Sequence, residues 1–415
     1  MEQYEPERLS APQLAAMRRS IQDGRGALTR RSLLRASGAA ALALGGVGAL
    51  SACGIPPAAR AGDAAASDDH SAAEKRINFS NWTEYMDVGE DEKSRPTLDA
   101  FTRRTGIEVK YTEDINDNVE FFGKIKPQLA AAQDTGRDLV IVTDWLAARI
   151  IRLGWAQKLD HANLPHAFAN LSAQFRTPDW DPGRAYSYPW TGIPTVIAYN
   201  EKATGGRKVD SVTQLLDDPK LKGKVSFLSE MRDSVGMTLL DMGKDPGSFS
   251  DADFDAAVGR MQKGVDTKQI RRFTGNDYTA DLSKGDIAAC VAWAGDIIQL
   301  QADNPAIKFS IPSAGYITSS DNMLIPAKAR HKTNAEKLMD YYYEPPVAAR
   351  LAAYINYVCP VDGVAGELAK IDASMASNTL ILPDRAMAAK SRSFRSLSAE
   401  EETAYEEKFA KLIGA

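Results

Sequence analysis

The chain has 415 residues, 44% of them apolar and 25% charged, with a formal net charge of −5. Such a composition excludes a disordered chain and supports a large core divided over two lobes or domains. Basic residues form nothing longer than pairs and triplets, which removes the electrostatic case for nucleic acid and suits a cationic or neutral partner.

The first feature in chain order is a leader. Ala36 to Ala52 is the one long apolar stretch; it follows a basic segment, and it is too short and too rich in Ala and Gly to be a good membrane span. It reads as a signal peptide over residues 1–52. Thr29-Arg30-Arg31-Ser32-Leu33-Leu34-Arg35 resembles the twin-arginine export signal, with Leu33 and Arg35 in place of its usual Phe and Lys. Leu50-Ser51-Ala52-Cys53-Gly54 is similar to the lipobox of bacterial lipoproteins, which implies cleavage before Cys53 and two acyl chains on that residue. Two chains anchor stably where one binds only marginally. Residues 54–75 carry no aromatic side chain and are rich in Ala, Pro, Asp and Ser, so 53–75 is expected to be a lipidated, disordered tether.

Order is expected from Arg76. Ile77 and Phe79 alternate with polar residues up to Trp82, the pattern of a strand running into a loop. Pro96, Leu98, Phe101 and the stop at Gly106 predict a helix, and Ile107, Val109 and Tyr111 a second strand. Residues 118–133 read as a helix despite Pro127. Asp138 to Val142 is a short apolar strand suited to a sheet covered on both faces, with another helix from about Trp145. The pattern then restarts, with strands at Thr195 to Asn200 and Val225 to Leu228, a helix at Asp251 to Lys263, and strands at Ile287 to Trp293 and Ile307 to Ile311. Met323 to Pro326 opens a third block with a helix over Asn334 to Tyr343, and Ser398 with Glu401 predicts a capping box on the last helix. Alternating strands and helices of these lengths predict α/β lobes with mostly parallel sheets.

Cys290 and Cys359 lie in apolar surroundings that favour buried free thiols, a disulfide being also allowed in an oxidising compartment. Four scattered His predict no metal site, and no cofactor is expected. G-x-S-x-G and H-E-x-x-H are absent, so the chain does not read as an enzyme.

Five segments cluster aromatic and acidic residues where strands end, the place open α/β sheets put ligands. They are Asn81-Trp82-Thr83-Glu84-Tyr85, Thr143-Asp144-Trp145, Glu230-Met231-Arg232-Asp233, Trp293-Ala294-Gly295-Asp296 and Ser319-Ser320-Asp321. Aromatic faces with carboxylates beside them suit a cationic ligand with an apolar stem. The same carboxylates would repel an anion.

With these segments the chain resembles the polyamine-binding proteins of bacterial ABC importers, the spermidine and putrescine receptors. Asn81 to Tyr85 is similar to that family's opening signature, Asp138 to Trp145 to its DLVV strand and binding turn, Tyr186-Ser187-Tyr188-Pro189 to its YSIP segment, and Trp293 to Asp296 to the WAGD of putrescine receptors. Gly243 to Pro246 and Tyr357 near Pro360 fall in the right order. The resemblance implies a two-lobed, periplasmic-binding-protein-like fold of type II, each lobe a mostly parallel sheet flanked by helices with the ligand cleft between them. The expected division is 76–192 with 318–365 for one lobe and 193–317 with 366–415 for the other. It implies Trp82, Glu84, Tyr85, Thr143 and Trp145 on the first lobe, Glu230, Asp233, Trp293 and Asp296 on the second, and Asp321 and Tyr357 near the hinge. Ser319 departs from the family, which usually has an aromatic residue two positions before the Asp. The expected function is delivery of putrescine or spermidine, as a lipid-anchored monomer on the outer face of the cytoplasmic membrane, to an ABC permease. The alternative is a receptor of the same fold for another organic cation or a small neutral solute.

Overall fold

The computed structural model describes residues 68–414 except 92, 116–117 and 276. The twin-arginine-like segment and Cys53 lie outside the described residues. Ten strands form one curled sheet in the order β2-β1-β3-β9-β4-β7-β5-β6, with β10 beside β9 and β8 beside β4. In chain order the elements that position the cleft begin with β1 (Arg76–Trp82), α1 (Pro96–Thr105), β2 (Glu108–Ile115), α2 (Asn118–Ala130), β3 (Leu139–Thr143), α3 (Asp144–Arg152) and β4 (Ser187–Asn200). Then come β5 (Val225–Leu228), α4 (Met231–Asp241), α5 (Asp251–Asp266), β6 (Ile270–Thr274), α6 (Tyr278–Lys284), β7 (Ala289–Trp293), α7 (Ala294–Asp303), β8 (Ile307–Ser310) and β9 (Tyr316–Leu324). The chain closes with α8 (Lys332–Tyr342), α9 (Pro345–Ile355), β10 (Ser391–Arg392) and α10 (Ala399–Ile413). Among the described residues no helix is long and apolar enough to cross a membrane.

The two lobes repeat one topology. In the first, β1 runs parallel to both β2 and β3; in the second, β5 runs parallel to both β6 and β7. Each trio is therefore ordered second, first, third, and the strand order reverses between its first and third members. That reversal is where the helices following those two strands diverge to opposite faces and leave a crevice at the carboxyl ends. The third strand of each trio is flanked by an antiparallel partner, β9 for β3 and β4 for β7.

Strand β4 crosses from one lobe to the other, and β9 runs against it along the boundary. Ser187 to Pro194 pairs with β9, whereas Thr195 to Asn200 pairs with β7 and β8. The buried strand β3 reads as an unbroken apolar run because both faces are covered: Leu139 and Ile141 join one apolar cluster of the first lobe, Val140 and Val142 the other.

Two boundaries differ from those expected. Residues Asp69 to Lys75 are engaged with the body. Asp69 accepts from the Thr333 backbone N–H at 3.1 Å and Ser71 from that of Asn334 at 3.1 Å, capping α8, whose preceding residue His331 makes no side-chain cap. At the other end, Leu368, Ile371 and Met375 pack in the first lobe's core, while Leu380, Met387 and Leu397 pack in the second's. The last crossing thus falls near Leu380 instead of at 365/366, because the amphipathic turns after Ala365 bury their apolar face against α9. The capping box at Ser398 and Glu401 is present. Both cysteines are free, and burial pushes both thiols up, which keeps them inert.

Candidate functional site

Arg149 and Arg152 of the first lobe pair with Glu402 of the second, and the carboxylates at the ends of both trios are buried, so the lobes are closed on one another. From the first lobe, β1 ends at Trp82 and the following turn brings in Tyr85, whose hydroxyl donates to Asp321 at 2.9 Å. Thr143, the last residue of β3, lies directly across the ladder from Asp321 and donates to its other oxygen at 2.8 Å. Asn118 at the start of α2 donates to the Thr143 hydroxyl at 2.8 Å and so orients it. Asp321 is 2% exposed. Burial pushes its carboxyl up to about 6 against the two hydroxyl donors.

The second lobe supplies a matching constellation. Asp233, in the first turn of α4 and 3% exposed, accepts from the Thr195 hydroxyl at 2.7 Å and from the Trp293 indole N–H at 2.9 Å. Burial raises it to about 6 as well. Tyr278, the first residue of α6, donates to Asp296 at 2.6 Å while its oxygen accepts from the Trp293 backbone N–H at 3.0 Å. Tyr357 adds a hydroxyl hydrogen bond to Asp296, and its ring lies 6.3 Å from that of Tyr85, bridging the two lobes. Gly295 permits this approach: a Cβ there would fall 2.4 Å from the Tyr357 ring.

Tyr85, Thr143, Asp233, Trp293, Asp296, Asp321 and Tyr357 are thus brought together. The other four expected residues are placed differently. Glu84 is exposed, in the left-handed region at φ 64°, and its charge acts on Glu113 and Tyr354 at the rim. Trp82 packs its ring 6.4 Å from Tyr85 and donates its indole N–H to the Ile141 carbonyl at 3.1 Å, so it backs Tyr85. Glu230 caps α4, accepting from the Arg232 N–H at 3.3 Å. Trp145 is covered by guanidinium groups of Arg149 and Arg232, at 4.9 and 4.8 Å from its ring centroid.

Tyr278 and Thr195 lie outside the five segments, and Asp144 and Arg232, though within them, were not among the residues expected to bind. Tyr278 follows β6 as Tyr85 follows β1, so knowledge of that strand would have pointed to it; β6, with two exposed arginines, gives no apolar alternation. Asp144 is raised to about 7 by burial, opposed by Arg232, and accepts from the Ser320 N–H at 3.2 Å. Burial is the leading cause at all three carboxylates, and a neighbouring carboxylate adds a smaller rise at Asp144 and at Asp233. Among the described residues no His, Cys, Asp and Glu group is arranged to hold a metal ion. An open depression of about 420 Å³, lined by Arg95, Tyr111 and Glu113 among others, contains none of the cleft residues.

Residues 97–379 match the family described as bacterial extracellular solute-binding protein. The putrescine-binding periplasmic protein PotF of Escherichia coli (strain K12) is 30% identical over 306 residues, which cover 69% of this chain and 78% of that one. The spermidine/putrescine-binding periplasmic protein of the same organism is 26% identical over 291 residues, covering 70% and 79%. The fold is that of the spermidine/putrescine ABC transporter substrate-binding protein PotD of Streptococcus pneumoniae, with a TM-score of 0.69, 19% identity, and coverage of 82% of this chain and 98% of that one.

Proposed function

The chain belongs to the bacterial extracellular solute-binding proteins, a family of receptors and not of enzymes, and from that premise we propose that it binds a linear polyamine and presents it to the permease of an ABC importer. The observation that carries this reading is the convergence of Asp321, Asp233 and Asp296 beside Tyr85, Tyr357 and Trp293, answered by hydroxyl and indole donors. Neutral donors soften the cost of a buried carboxylate without cancelling its charge, and an ammonium group does both. Aromatic faces suit the methylene stem, and each cation–π contact adds about 0.5 to 2 kcal/mol. Two paired ends with a buried stem can supply the roughly 8 kcal/mol of a micromolar receptor. The names of the two relatives support putrescine or spermidine as the ligand. Half-buried Ser319, on β9 two positions before Asp321, stands where the family usually has an aromatic residue, so one wall for the stem is missing from the proposed site.

Calorimetric titration with diamines, triamines, amino acids and sugars tests the reading. Micromolar binding confined to the amines is expected; binding of a sugar or an amino acid in their place would favour the alternative, a receptor for another cation or a neutral solute.

We also propose that the protein acts as a monomer held on the outer face of the cytoplasmic membrane by lipid on Cys53. Cys53→Ala is then expected to release it from the membrane fraction with its affinity intact, and retention there would end the lipoprotein reading. Arg30→Lys with Arg31→Lys is expected to block export; undiminished export would assign the general secretory route.

A further inference from the structure

An aromatic face beside a carboxylate makes a cation subsite, and the cleft holds one at the end of β3 that is already filled. Trp145 offers the ring, and Asp144 and Glu230 the carboxylates. The cation is the chain's own Arg232, with its guanidinium carbon 4.8 Å from the Trp145 centroid and one nitrogen 3.7 Å from Glu230. Arg232 is also the leading charge that opposes the rise of the Asp144 carboxyl, and it acts on Asp233 in the same sense.

Its position is fixed from behind. Arg232 donates to Glu402 on α10 at 2.9 Å, and its side chain is 13% exposed. Glu402, 5% exposed, also accepts from Arg149 at 3.1 Å and Arg152 at 2.9 Å on α3. With Glu402 holding it, Arg232 would have to leave a buried partner to vacate the subsite. Asp321, which faces Thr143 across the ladder and acts on neighbouring Asp144, is by contrast met by two hydroxyls.

We propose that Arg232 is a built-in cation that fills the Trp145 end of the cleft and thereby limits the ligand to a short diamine, excluding a third ammonium group. This rests on the polyamine reading above and sharpens it. A triamine long enough to reach Trp145 would set its terminal ammonium against a guanidinium, and juxtaposed like charges are a strong device for rejecting the wrong partner. A diamine paired with Asp321 and Asp296 would leave the Trp145 ring to Arg232.

Titration of the full-length protein with putrescine and with spermidine tests this directly. The unmodified protein is expected to bind the diamine about tenfold or more tightly than the triamine. Arg232→Ala, and the volume-keeping Arg232→Met, are expected to move that ratio about tenfold toward the triamine by removing one of the two guanidinium groups on Trp145 and freeing Asp144 and Glu230, while Arg149 stays 4.9 Å from the ring. Equal affinity for both amines in the unmodified protein overturns the proposal without any variant. So does an unchanged ratio in variants that melt cooperatively, which would make Arg232 a strut between the lobes and nothing more. Absence of binding by either amine is a different result: it removes the polyamine reading itself, and the proposal with it.

Discussion

Glu402 and Asp321 are both carboxylates buried at the boundary of the lobes, 5% and 2% exposed, and they keep opposite company. Glu402 is met by three guanidinium groups, from Arg149, Arg152 and Arg232, two of them on the first lobe. Asp321 is met by the hydroxyls of Tyr85 and Thr143. A buried charge answered by full charges is finished, and removing it strands its partners. One answered by neutral donors is held in shape but still carries an unmet demand for a cation. The difference separates a carboxylate that ties the two lobes together from one that the polyamine proposal assigns to the ligand.

The largest effect expected from this contrast is on stability. Glu402→Ala leaves three arginines without their common partner and is expected to cost about 3–5 kcal/mol in denaturant unfolding. A loss below about 1 kcal/mol would show that the network is screened like an ordinary surface pair. Asp321→Asn keeps the shape and removes the charge. Unfolding stability is expected to stay the same or rise, while polyamine affinity falls about a hundredfold or more. If the two variants exchanged these phenotypes, the contrast would be inverted.

The pH dependence follows in size. The folded-state values of Asp321 and Asp233 are raised to about 6, and that of Asp144 to about 7. Their contribution to the empty closed form is therefore fully present below the ordinary carboxyl range of about 4 and lost as pH rises through 6 to 7. A polyamine needs the ionised carboxylates, so its affinity is expected to fall below about pH 6, by roughly tenfold per pH unit for each proton that binding must displace. Calorimetry from pH 5 to 8 measures this, and a flat profile would disconnect these groups from the ligand. Smallest is Gly295→Ala, whose methyl group displaces the Tyr357 ring. A loss of affinity of about tenfold is expected, with exposed Glu407→Gln as an unaffected control.

Local pattern carried further in the trios of parallel strands than in the strands at the boundary. The apolar run at Leu139 to Val142 and the alternation at Ile77 and Phe79 identify β3 and β1, because covered strands must be apolar. Strand β9 contains Thr318, Ser319, Ser320, Asp321 and Asn322 in succession, and nothing local predicts a strand there. It is one because β3 and β4 pair with it on both sides. The first half of β4, interrupted by Pro189, Gly192 and Pro194, is a strand because β9 pairs with it. On β9 the polar Ser320 and Asp321 meet Asp144, Thr143 and Tyr85.

By itself the sequence determined the α/β class, the strand ends where aromatic and acidic residues gather, and the capping box at Ser398, because burial period, helix caps and motif chemistry are local properties. Only the tertiary structure decided which carboxylates face hydroxyls and which face guanidinium groups. Glu402 and Asp321 lie 81 positions apart, Arg232 is 87 positions from Trp145, and the company a buried charge keeps depends on the folding of distant segments against one another.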